Sequence, residues 1–451
     1  MHVKRIARRR KGAVSRSTAG YAAFIALMIA IVAYATSVSG SSSNGPCYTP
    51  VNTSSASDAI KIGLVTELNG PAVSNGFGAE LAAELAVNQT NASGGIDGKP
   101  IDLVIADSRT IPQVAATCTS ILDKQYGVLA VTGPTDQGDA RGIQNYAEAN
   151  GVPFVVSAVS SAALNLPGSS WTVNLQPDAV HWGAALAKYI AEAVPGAKVA
   201  LMTQNAEQQR EMAAGVRWYA DTYKNESIVF DQLFANAQFP WGTAAAAVKF
   251  SGANAVVVSW LPTVGFSESN VVTALLSAGF SQNQIFVADV TDQASDLGAS
   301  ASGIRGVTVF DGAMAQGYPN ASSFVNELQP VVNGTLNSSL YCPVCPKEVG
   351  PVYYYSYLGM KMIIGAIQSV LSSGHPLTRA DFMSAMKGAS TEDAFGNTLS
   401  IGGDGASVGH YYIVSVGAFN ATSSTYALSL VQTVEFPQGT VPAYSLSKTA
   451  Q

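Results

Sequence analysis

The residues best suited to covalent or metal chemistry are few and far apart. Cys342 and Cys345 form a Cys-x-x-Cys pair, a spacing used by dithiol redox centres and by half of a zinc site. Zinc requires further ligands, and neither a second Cys-x-x-Cys nor a neighbouring histidine is present. A redox pair opens a helix after a strand, whereas this one lies in a loop-like stretch between Asn333 and Pro351. In an exported chain the pair reads as a structural disulfide. Cys47 and Cys118 raise the number of possible connectivities to three, and spacing does not choose among them. His181, His375 and His410 show neither metal spacing nor a serine–acid pattern. The chain therefore reads as non-enzymatic, with no cofactor and no metal.

Charge points to export. Of the 24 Lys and Arg, seven precede the first acidic residue, Asp58, and the remaining 17 face 30 Asp and Glu, so the rest of the chain carries −13. An acidic body lacks the positive field that phosphate binding requires, which excludes nucleic acid as a partner. Residues 19–38 carry no charge, and about 20 apolar residues suffice for a helix to cross a bilayer. Basic residues crowd one side of this segment and none follow before Lys61. The expected arrangement is a cytoplasmic basic end (residues 1–18), a retained single-pass anchor at the cell membrane and an extracytoplasmic body; a cleaved signal is the alternative. The stretch Arg8-Arg9-Arg10-Lys11-Gly12-Ala13-Val14-Ser15 resembles the prepilin-like signals of archaeal exported proteins, which are cut behind the basic cluster and keep the apolar helix. Residues 39–58 are rich in Ser, Thr, Asn and Gly and read as a tether. Eight Asn-x-Ser/Thr sequons, at Asn52, Asn88, Asn91, Asn225, Asn320, Asn333, Asn337 and Asn420, fit a surface glycoprotein.

The elements that would position a site alternate between strand and helix. Residues 60–65, 101–106, 128–132, 154–156, 199–202, 255–258 and 285–288 are short, apolar and largely β-branched runs. Helical patterns separate them, beginning near Asn75 and spanning residues 114–126 and 143–150. Continuous apolar strands alternating with helices indicate parallel sheets covered on both faces, with ligands outside the carboxyl ends. No Gly-x-Gly-x-x-Gly follows the first strand, so a dinucleotide is not indicated. A long helix is expected over residues 352–372, and antiparallel strands at 411–414 and 428–436. Tyr353, Tyr354, Tyr355 and Tyr357 suit either helix packing or a stacking lip, packing being the default.

The stretch IKIGLVTELNGPAVSNGFGAELAAELAVNQTNASGGIDGKPIDLVIADS (residues 60–108), continued by residues 126–164, resembles the leucine/isoleucine/valine-binding proteins, solute receptors of ABC transporters. No single motif is sharp; the likeness lies in the order of many weak ones over most of residues 59–436. The resemblance implies an α/β fold of the type I periplasmic-binding class, two Rossmann-like lobes joined by a three-strand hinge. The first lobe would hold residues 59–177 and 312–396 and the second 178–311 and 397–436, with 437–451 as a tail.

The resemblance also implies a site. The carboxylate end of a solute would be gripped by Thr135-Asp136-Gln137-Gly138 and by the loop ending Ser160-Ser161, with Gln137, Ser160 and Ser161 as donors. Asp136 is awkward there, because carboxylates repel. Asn75 stands where relatives often carry Tyr and would contact the solute or cap its helix. In the second lobe Gln208, Gln209 and Arg210 replace an expected Tyr, and Gln209 is the candidate contact. Trp260 is a candidate apolar wall or a core residue. Asp289, with Asp292 nearby, falls near the position of an ammonium-binding carboxylate. The expected function is an extracytoplasmic receptor for an amino acid, amide or related small polar solute, delivering it to a permease. The alternatives are a sensor ectodomain and a structural filament protein.

Overall fold

The computed structural model describes Cys47, residues 58–164, 169–235, 240–260 and 268–290, Leu297, and residues 300–337, 349–420 and 425–436. The expected anchor, Asp292, Cys342 and Cys345 lie outside the described residues. Among the described residues no helix is long and apolar enough to cross a membrane.

The first sheet is built from β1 (Ile60–Thr66), β2 (Ile101–Asp107), β3 (Ala130–Thr132), β4 (Phe154–Val156) and β5 (Thr172–Asn174), in the order β2-β1-β3-β4-β5. Every pairing is parallel. β2 is buried along its whole length, which is why it reads as a mostly apolar run interrupted only by Asp102 before its closing Asp107. Helices α1 (Val73–Ala92), α2 (Pro112–Ile121) and α3 (Gln137–Asn150) connect these strands. The helix expected at 114–126 ends where expected: α2 passes directly into a π-helical turn, Leu122–Tyr126, which stops at Gly127, φ 64°. α3 starts six residues before the expected 143, because the Asp136 side chain accepts the Asp139 N–H and caps it.

The chain then crosses to a second, mixed sheet of order β15-β14-β10-β9-β8-β6-β7. Helix α4 (Ala179–Ala193) opens it; the N-cap Asp178 accepts the N–H groups of Val180 and His181 and bonds the His181 ring. There follow β6 (Lys198–Gln204), α5 (Glu207–Tyr223), β7 (Ser227–Phe234), α6 (Trp241–Phe250), β8 (Ala255–Ser259), α7 (Glu268–Ser277), β9 (Ile285–Val287) and β10 (Arg305–Thr308). Those five strands pair in parallel.

A second crossing leads to α8 (Pro319–Asn337), α9 (Pro351–Ser372) and α10 (Arg379–Met386), of which α9 lies against α1. A small antiparallel sheet follows, β11 (Ser390–Glu392), β12 (Thr398–Ile401) and β13 (Ser407–Val408). Asn174 bridges Ala406, which ties this sheet to β5. The third crossing brings back β14 (His410–Asn420) and β15 (Thr425–Glu435), antiparallel to β10 and to each other. The antiparallel strands expected at 411–414 and 428–436 correspond to this longer pair, which closes the edge of the second sheet.

Helices cover both faces of each sheet. α4 and α5 cross at backbone contact: a Cβ on Gly183 would lie 1.8 Å from the Met212 carbonyl oxygen, so only glycine fits. The tyrosines of α9 pack inward and form no lip. Tyr353 lies against Gly78 of α1, Tyr354 stacks on Phe310 at 4.3 Å, and the Tyr357 hydroxyl donates to Gln89.

Cys47 is disulfide-bonded to Cys118 of α2, with Cα atoms 5.3 Å apart and a sequence separation of 71. This pairing excludes the two connectivities that join Cys47 or Cys118 to the Cys-x-x-Cys pair. Closing so long a loop restricts the unfolded chain, so Cys47→Ser/Cys118→Ser should lower the unfolding free energy by about 2–4 kcal/mol in denaturant titration. An unchanged midpoint, or a non-reducing peptide map lacking the Cys47–Cys118 fragment, would show that the bridge does not form.

Candidate functional site

Both large sheets share one topology. In the first, β1 lies between β2 and β3; in the second, β6 lies between β7 and β8. The strand order therefore reverses at β1/β3 and at β6/β8, and the carboxyl ends there are where α/β sheets bind ligands.

At the first reversal stands Glu67, directly after β1 and fully buried. Its carboxylate accepts the Thr135 N–H (3.0 Å), the Thr135 hydroxyl (2.8 Å) and the Asp136 N–H (2.9 Å). Burial pushes the Glu67 carboxyl above its ordinary range, and these bonds pull it back only in part. Helix α1 approaches so closely that a Cβ on Gly76 would meet the Glu67 carbonyl oxygen at 2.1 Å. Asp107, at the end of β2, accepts the N–H groups of Leu68 and Asn69 and fixes the loop after Glu67. Asp139 is buried beside them. Burial raises its carboxyl to about 7; the Ser108 hydroxyl opposes this, and the charges of Glu67, Asp136 and Asp107 add to it.

The second reversal holds Thr203 and Ser259, register partners at the ends of β6 and β8. The Ser259 hydroxyl donates to the Gln209 carbonyl (3.2 Å), which seats the first turns of α5 on the sheet ends. From that helix Glu211 reaches the other lobe. It accepts the Ser161 hydroxyl (3.1 Å) and the Ala162 N–H (3.1 Å), and is itself buried. Arg141 of α3 pairs with Glu207 across the same seam. Hydrogen bonds to a buried charge are worth about 1.5–3 kcal/mol each, whereas a pair as exposed as Arg141–Glu207 adds at most about 1 kcal/mol. Glu211 is the stronger link between the lobes.

The sequence-predicted residues fall around this seam unevenly. Ser160 and Ser161 are buried in it; Ser161 serves Glu211, and the Ser160 carbonyl accepts the Ala179 N–H. Gln137 is half-buried at the first position of α3. Asp136 turns into its own helix, which removes the expected clash with an anion. Asn75 sits inside α1, whose N-cap is Ala72, so it does not cap the helix. Gln209 is fully buried and neither atom of its amide has a partner. Asp289 accepts from Gln208 (3.4 Å). Trp260 is buried against Trp241 (5.1 Å) and Phe234 in the core of the second lobe. Glu67 and Glu211 were not anticipated; the signal for Glu67 was an acid directly after a buried apolar strand.

A sequence profile described as periplasmic binding protein matches residues 59–422. The chain belongs to the periplasmic binding protein family. That confirms at family level the resemblance carried by residues 60–164. The Leu/Ile/Val-binding protein of Escherichia coli is 26% identical over 193 residues, 42% of this chain and 51% of that one. The matched stretches span about half the length of such relatives or less. Among solved structures, a solute binding protein of an ABC transporter from Rhodopseudomonas palustris, in complex with 3,4-dihydroxy benzoic acid, superposes with a TM-score of 0.67 at 18% identity, covering 84% of this chain and 98% of that one. The branched-chain amino acid transporter substrate binding protein of Streptococcus pneumoniae, in complex with isoleucine, gives 0.62 at 21%, covering 83% and 99%. At these identities the structures establish the fold.

Two outcomes follow for this periplasmic binding protein. Glu67→Ala strands three donors at a buried site and should cost about 2–4 kcal/mol in unfolding free energy; a loss below about 0.5 kcal/mol would show that the donors find other partners. Asp139 binds a proton more readily folded than unfolded, so its contribution is most favourable below about pH 4 and is lost as pH rises through about 7. Glu80, raised to about 7, and Glu226, raised to about 8, act in the same direction. Asp139→Asn should therefore lose less Tm than the parent between pH 5 and 8, and parallel profiles would refute the assignment.

Proposed function

We propose that this protein is the extracytoplasmic solute-binding component of an ABC importer, closing two hinged lobes around a small polar solute and handing it to a permease. The observation that carries this reading is the seam itself. Two sheet reversals, each a ligand-binding position in its own right, face each other across buried polar contacts made by Ser161, Ala162 and Glu211. Hinge closure of this kind encloses a ligand between lobes. Similarity to proteins described as binding branched-chain amino acids or aromatic acids supports the same role. A protein working by enclosure and release requires no catalytic group, and among the described residues no cluster of His, Cys, Asp or Glu is arranged for a metal.

The charge-free segment at residues 19–38 supplies the membrane anchor in this reading, and the body lies outside the cell. Asn88, Asn225, Asn320 and Asn333 are exposed and would carry glycans there. Asn91 would not, because its amide is engaged twice by the Ile101 backbone.

A ligand that binds only the folded state raises its stability, by about 2.7 kcal/mol at a hundred-fold excess over Kd. A thermal-shift screen of the purified protein against amino acids, amides and aromatic acids should reveal at least one saturable rise in Tm. Folded protein with no shift for any of them would overturn the receptor role.

A further inference from the structure

The sequons are not equivalent in the fold. Asn88 and Asn91 lie within α1, and Asn320, Asn333 and Asn337 within α8. Asn225 stands instead in the turn between α5 and β7. The Lys224 N–H closes the last turn of α5 on the Ala220 carbonyl, and Lys224 itself is left-handed, at φ 56° and ψ 21°. That residue reverses the chain, and Asn225 folds back along the helix it has just left. Its amide donates to the hydroxyl of Tyr219, one helical turn before the end of α5. Asn225 is exposed, and so is Ser227, the third residue of the sequon and the first of β7.

The same corner is lined with aromatic rings. Tyr219 and Tyr223 lie 4.6 Å apart at 34°, and Trp218 meets Tyr223 edge-on at 6.0 Å. Trp218 is held in turn by Phe436, at 6.2 Å. Tyr219 is buried, whereas Tyr223 keeps 48% of its surface open. Tyr223 is thus a ring fixed by its neighbours yet accessible, two positions before Asn225. The C–H groups on a pyranose face carry partial positive charge, and the face of an aromatic ring is negative. A ring already held in place gives up little rotamer freedom when a sugar settles on it.

We propose that Asn225 carries an N-linked glycan whose first pyranose rests on Tyr223. This rests on the extracytoplasmic placement of the body given above. The sugar comes from a polyisoprenyl-phosphate-linked donor. A bond forms between Asn225 Nδ2 and the anomeric carbon, the anomeric C–O bond breaks, the lipid phosphate leaves with the electron pair, and the displaced amide proton goes to solvent. Only one of the two amide hydrogens is replaced, so the other remains for the Tyr219 hydroxyl.

Glycopeptide mass spectrometry of the full chain isolated from its own cells should find sugar on Asn225. Ser227→Ala, made in the same cells, ends the sequon but keeps the Asn225 amide, and should lower Tm by about 2 °C. Tyr223→Phe should preserve that difference and Tyr223→Ala should abolish it, each measured with and without Ser227→Ala so that the direct effect of the ring cancels. Protons of the first sugar should be shifted upfield by the ring in NMR spectra, and not in Tyr223→Ala. A merely structural Tyr223 would alter Tm equally with and without the sugar, and would overturn the contact. Sugar on other sequons with Asn225 bare would overturn the proposal alone. So would bare sequons throughout in a body that protease removes from intact cells. A bare body protected from that protease would overturn the external placement as well.

Discussion

Everything at the carboxyl edge of the first sheet depends on one buried carboxylate satisfying backbone donors that no water reaches. Glu67 follows β1 without a gap and receives the loop after β3, which begins with a cis Gly133–Pro134 bond. Burying a charged group is costly unless it is hydrogen-bonded, and leaving several N–H groups unpaired is costly as well. Each requirement meets the other here. The arrangement fixes the loop that begins α3, and α3 in turn presents Arg141 to the opposite lobe.

The second constraint is the hinge. The chain passes three times between the sheets, and a continuous apolar core runs with it. Phe310, just after β10, stacks on Tyr354 of α9 and touches Phe395, which in turn meets Tyr412 of β14. The Tyr412 hydroxyl donates to Asp393, and Asn397 donates to that hydroxyl. Packing at native density resists gradual deformation, so such a hinge favours discrete arrangements of the lobes. The buried Glu211 contacts join the two lobes in this arrangement.

Much of the fold was legible because central parallel strands are buried on both faces. β1, β2 and β8 announce themselves as apolar runs. β7 does not: it lies at a sheet edge, its exposure varies along its length, and its Asp231 and Gln232 dilute the signal. β5 is only three residues long and escapes pattern reading. The site was legible in its loops and obscure in its partners. Ser161 and Gln209 were placed by resemblance to relatives, but the acid that takes Ser161 lies in the run Glu207-Gln208-Gln209-Arg210-Glu211, which has the composition of a solvated helix face. Only the fold shows that this face is turned inward. The cysteine pairing was equally hidden, since the eye-catching Cys-x-x-Cys says nothing about Cys47 meeting Cys118.

That bridge also decides how the body bears a load. Cys47 is covalently joined to α2, a helix packed beneath the first sheet, thirteen positions before β1 begins. Tension along the leading chain is therefore delivered to Cys118 and spread over the packed interior around it. β1, which lies between β2 and β3, is spared from being peeled off its neighbours one hydrogen bond at a time.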